Sequence, residues 1–91
     1  IDGLGLLLAS QQEMMLATPP KVSIRNVTGA GDALMAGMAY GFARGMDLRE
    51  IARLGAAFSA VAVTTVSLAS VKNSDVEAML PRVEVRTVNV M

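Results

Sequence analysis

The chain has 91 residues, 53% of them hydrophobic, with eight basic and eight acidic side chains and a formal net charge of zero. Set against a usual domain of roughly 100 to 200 residues, that excludes a second full domain, and the balanced charge with 3% aromatics leaves no basic stripe or stacking platform for nucleic acid. Cysteine and histidine are both absent, so disulfides, thiolate chemistry and structural zinc sites are excluded, and any metal here is hard and oxygen-bound.

The chain starts at Ile1, and its opening residues lack the positive region of a secretory signal. The start reads as a cut and the expected location is cytoplasmic. The apolar content is high for so short a chain, so the partner covering its surface is expected to be the rest of the same protein. Residues 4–9, after the Asp2-Gly3 turn, and residues 13–17, after the polar Ser10-Gln11-Gln12, read as two strands with a tight connection. Thr18-Pro19-Pro20 breaks the pattern, and Lys21-Val22-Ser23-Ile24-Arg25 alternates as a third, half-buried strand.

From Ala33 the spacing turns helical. Leu34, Met38 and Phe42 recur at four-residue steps, Met35 and Ala39 widen the apolar stripe, and Gly45 closes it. Asp47-Leu48-Arg49-Glu50 is a capping box that opens a second helix to about Val63, with Ile51, Leu54, Phe58 and Val61 on one face. Residues 54–71 carry no charge, but they are rich in Gly, Ala, Ser and Thr, which fits close packing in a soluble layer better than a membrane span. Ser74-Asp75-Val76-Glu77 reads as another capping box, opening a short helix through Leu80 that Pro81 ends. Residues 83–90 alternate like a strand with no obvious partner. The methionines are expected to fill core gaps, Tyr40 to be partly buried, and Arg44, Arg49 and Arg53 to form a solvated helix face.

The chemistry lies in the joint between strand and helix, Asn26-Val27-Thr28-Gly29-Ala30-Gly31-Asp32. Two glycines let the backbone turn sharply and bare its N-H groups at a helix start, where the dipole favours an anion. Asp32 beside them is placed to take a proton from a hydroxyl that attacks a phosphoryl group held there. On spacing alone a plain helix cap explains the same residues equally well. No Lys-Ser or Lys-Thr follows, which sets a Walker loop aside, and the missing third glycine sets a dinucleotide fingerprint aside.

Thr28-Gly29-Ala30-Gly31-Asp32, followed by Ala33-Leu34-Met35-Ala36-Gly37, resembles the second signature of the ribokinase-like (PfkB) carbohydrate and nucleoside kinases. The resemblance implies a three-layer α/β/α ribokinase-like sandwich, of which residues 1–91 would be a C-terminal portion carrying the ATP site and catalytic loop. It implies transfer of the ATP γ-phosphoryl group, with Mg2+, to a hydroxyl of a small substrate. Asp32 would be the catalytic base, and the N-H groups of Gly29, Ala30 and Gly31 the anion hole. Gly3 matches a nucleotide-contacting glycine, Thr28 and Gly31 lie at the nucleotide, and Ala56 falls where relatives often place Asn or His beside the adenine.

Asn26 replaces the usual Asp that, with Thr28, helps to hold a monovalent cation such as K+; the amide offers an oxygen without the charge. The Gly-Ala pair common after the last long helix is replaced by Ser67-Leu68-Ala69-Ser70. The motif together with Thr64-Thr65-Val66-Ser67-Leu68 and Val71-Lys72-Asn73 is similar to the pseudouridine-kinase branch, with ribose, adenosine and fructose phosphate as other acceptors. The resemblance gives the chain the remainder of the kinase as partner, with homo-oligomers among the expected assemblies and neither nucleic acid nor membrane. Without the substrate-binding part the 91 residues would be inactive alone, and the alternative is a non-catalytic kinase-fold fragment or interaction module.

Overall fold

The structure is a computed structural model and describes residues 6–9, 14–20, 30–64 and 71–88. The expected strand at residues 21–25 lies outside the described residues. Strands β1 (Leu6–Ala9) and β2 (Met14–Thr18) form the antiparallel pair expected from their two apolar runs, with Leu8 opposite Met15. The tail does find a partner. Strand β3 (Glu84–Thr87) pairs antiparallel with β2, Ala17 opposite Val85, so β2 is central in the order β1-β2-β3. Backbone pairing extends one residue further through the Val88 N-H, which donates to the Met14 carbonyl at 2.8 Å.

Period-two alternation sends Met15 and Ala17 of β2 into the core, joined from the tail by Val83. Helix α2 (Leu48–Val63) packs on all three strands. The expected capping box forms: Asp47 Oδ1 accepts from the Glu50 N-H at 2.8 Å, and Glu50 Oε1 accepts from the Asp47 N-H at 3.3 Å. The helix ends where β-branched residues gather, with the Thr64 hydroxyl donating to the Val61 carbonyl at 2.7 Å. Arg49 is not merely solvated. Its Nη1 donates to the Val85 carbonyl at 2.7 Å and ties the start of α2 to β3.

Helix α1 (Ala30–Ala43) packs on α2. Its end follows the sequence closely. Gly45, at φ 70°, is the left-handed residue of a Schellman motif: its N-H donates to the Phe42 carbonyl at 3.1 Å, and the Met46 N-H donates to the Gly41 carbonyl at 3.0 Å. The rotation of α1 does not follow the sequence. The residues buried against α2 are Ala33, Gly37 and Gly41, whereas Met35 is 67% exposed and Phe42 60% exposed. Tyr40 is also exposed, and the Arg44 guanidinium lies 4.7 Å from the centre of its ring. The apolar stripe was the louder signal, but the glycine face lets two backbones approach more closely than large side chains permit.

Helix α3 (Asn73–Met79) starts one residue before the expected cap. Ser74 is therefore inside the helix, and Lys72 at the N-cap makes no side-chain cap bond. Pro81 sits within a 3-10 turn, Leu80–Arg82, that continues from α3. Val76 and Met79 are the buried pair of α3 and join Met15, Leu54, Ala57, Val61 and Val83 in one core. Met15 and Met79 thus fill the core as expected, while Met35 stands outside it.

Candidate functional site

Helix α1 begins at Ala30, three residues earlier than the sequence periodicity places it, so the second half of the glycine joint is already helical. This sharpens the geometry of the joint. The first residues of an α-helix have no intrahelical acceptor for their N-H groups, and here those residues are Ala30, Gly31 and Asp32. Gly31 is exposed and a Cβ built on it would meet nothing within 4 Å, so the backbone is open to an approaching group. Asp32 is exposed in the same first turn. Uncovered donors and a carboxylate therefore share one turn, which suits an anion that must react beside a base.

The structure brings together Ala30, Gly31 and Asp32 in the first turn of α1, and Ala56 is a core residue of α2, 3% exposed. Gly3, Asn26, Thr28 and Gly29 lie outside the described residues. Among the described residues no group of three acidic side chains is placed to hold a metal ion, and no helix is long and apolar enough to cross a membrane. Among the described residues, a cavity of about 370 Å³ lies between the start of α2 and the turn at Leu80 and Pro81, and two of about 310 Å³ lie between α2 and α3, one of them also reached by Tyr40 of α1; Asp32 lines none of these three.

What sequence reasoning missed is the support behind the site. Gly37 and Gly41 carry no chemistry and no apolar surface, yet they hold α1 against α2. The available signal was their four-residue spacing, which puts two small residues on one helix face.

The family model for the pfkB family of carbohydrate kinases matches residues 3–75. A 1-phosphofructokinase of Rhodobacter capsulatus is 46% identical over 55 residues, covering 60% of this chain and 17% of that protein. Among solved structures, a carbohydrate kinase from Agrobacterium tumefaciens aligns with 30% identity and a TM-score of 0.73, over 94% of this chain and 29% of its own. A Staphylococcus aureus structure assigned as a phosphofructokinase aligns with a TM-score of 0.88 at 21% identity, over 96% of this chain and 28% of its own, a likeness of fold alone. The chain spans less than a third of the length of each of these proteins. The fold is therefore α/β, a portion of the ribokinase-like sugar kinases, as the resemblance implied.

Proposed function

This chain belongs to the pfkB family of carbohydrate kinases, and on that premise we propose that it supplies the phosphoryl-transfer part of a kinase acting on a hydroxyl of a phosphorylated sugar. The observation that carries this is the first turn of α1, where exposed Gly31 and exposed Asp32 stand among N-H groups without helical acceptors. Gly29, Ala30 and Gly31 would donate to the moving phosphoryl oxygens. Asp32 would accept the proton of the attacking hydroxyl, so that the developing alkoxide and the phosphoryl group are served from one helix end. ATP is the phosphoryl donor expected of the family.

Gly3 and Thr28 complete the proposed nucleotide contacts, and Ala56 offers at most an apolar edge. Asn26 and Thr28 would contribute oxygens to a monovalent cation, K+ in the simplest case, and magnesium would accompany the ATP phosphates. Cytoplasmic location and self-association belong to the same proposal.

The acceptor is where the relatives move the reading. The sequence favoured pseudouridine, with fructose phosphate among the alternatives; the Rhodobacter relative and one from Vibrio cholerae, 34% identical over 64 residues, are both named 1-phosphofructokinase. We therefore place a phosphorylated fructose first and pseudouridine second. The test is ATP-dependent phosphorylation by the full-length protein carrying this chain, with fructose 1-phosphate, pseudouridine, ribose and adenosine in parallel. Fructose 1-phosphate is expected to give the highest kcat/KM; a higher value with pseudouridine reverses the order of acceptors, and no turnover with any of them removes the kinase reading.

A further inference from the structure

Where α1 meets α2, almost no side chain separates the two backbones. A Cβ at position 37 would stand 3.1 Å from Gly55 Cα, 3.1 Å from the Leu54 carbonyl oxygen and 3.1 Å from Phe58 Cδ2. Two of those atoms are backbone and cannot swing away. One turn further on, a Cβ at position 41 would stand 2.9 Å from Cγ1 of buried Ile51. Position 37 thus meets 55 while 41 meets 51, which makes the helices antiparallel and pins α1 at two levels.

Asp32 lies five residues before Gly37 on the same helix, about 7.5 Å along the axis at 1.5 Å per residue. A hydrogen-bonded helix moves as a unit over that distance, so the separation of the backbones at Gly37 and Gly41 is passed on to its first turn. We propose that Gly37 and Gly41 are positioning residues for phosphoryl transfer: their bare contact with α2 sets how far α1 stands from α2, and so where the Asp32 carboxylate and the adjoining N-H groups meet the reacting atoms. The inference rests on the kinase reading above and adds a requirement to it. Misplacing reacting groups by 1 Å costs on the order of 100-fold in rate, and a methyl group at position 37 demands a shift of a few tenths of an ångström.

The experiment compares Gly37→Ala with Gly45→Ala in the full-length protein, at a temperature where both are folded. Gly45 has φ 70° and nothing within 4 Å of a built Cβ, so alanine there strains the turn without pushing on α2. Both variants are expected to melt earlier. Only Gly37→Ala is expected to lose kcat, by about 10-fold, with KM for ATP and acceptor within about two-fold. Equal kcat losses in the two variants, or a kcat within two-fold of wild type in Gly37→Ala, overturn the proposal.

Should Gly37→Ala not fold, Gly41→Ala with and without Ile51→Ala gives the same decision, because removing Ile51 Cγ1 returns the space that the new methyl takes. The double variant is expected to turn over faster than Gly41→Ala although it is less stable; a double variant that is no faster overturns the proposal. Asp32→Asn in the same series separates the two ways of failing. Normal turnover in Asp32→Asn removes the assignment of the base to the first turn of α1, on which the proposal rests, whereas an inactive Asp32→Asn beside a normal Gly37→Ala removes only the positioning role.

Discussion

Helices α1 and α2 lie side by side and are of similar length, yet eleven of the sixteen residues of α2 are buried and only three of the fourteen of α1. Helix α2 touches the sheet on one side and α1 and α3 on others, so its small residues serve packing in several directions. Helix α1 touches it along one narrow strip and leaves Met35, Tyr40 and Phe42 exposed. One helix holds the fold together and the other presents its first turn. The difference divides the labour of the chain: burial is concentrated in α2, and the turn proposed for the chemistry stands at the start of α1.

That contrast can be broken by substitution. Ile51→Ala removes a side chain only 2% exposed and is expected to cost about 2 to 5 kcal/mol, read by urea denaturation. A cost under about 1 kcal/mol would mean that α2 is not the load-carrying element it resembles. Gly45→Ala places a Cβ at φ 70° and is expected to cost about 1 to 2 kcal/mol in the same assay, by strain alone. Asp47→Ala deletes the acceptor of the capping box, and a loss of about 1 kcal/mol should accompany fraying of the start of α2, visible as faster amide exchange.

Phe42→Ala sharpens the comparison at its weak end. With the side chain 60% exposed, the stability of the 91-residue chain should change by less than about 0.5 kcal/mol. A loss several times larger would show that this face of α1 is covered by another surface.

Local signals in the sequence located most of the elements. The capping box at Asp47, the closing glycine at position 45 and the paired apolar runs before residue 19 each specify backbone geometry within a few residues, and each is seen. What remained hidden depended on partners far away in the chain. Residues 83–90 alternate correctly, but alternation carries no information about which strand accepts the edge, and β3 joins β2 from some seventy residues away. The rotation of α1 was hidden for a related reason: hydrophobic periodicity registers side chains, and the contact with α2 is made by their absence at Gly37 and Gly41.

Ser74 failed as a cap because α3 starts at Asn73 and takes it inside. Of the candidate site, Ala30, Gly31 and Asp32 were legible as a unit, because glycine spacing and a carboxylate at a helix start have direct physical meanings. The same glycines obscured the boundary: they suggested a loop as far as residue 32, whereas the helix begins at Ala30.

The most direct measurement of the central claim is kcat together with melting temperature for Asp32→Asn in the full-length protein, with ATP and fructose 1-phosphate. The exposed carboxylate in the first turn of α1 contributes little to folding, so the melting temperature should stay close to wild type while kcat falls by about 100- to 10,000-fold, the range for loss of a general base. A variant that keeps wild-type turnover would contradict the claim that the chemistry of this chain is delivered from the start of α1.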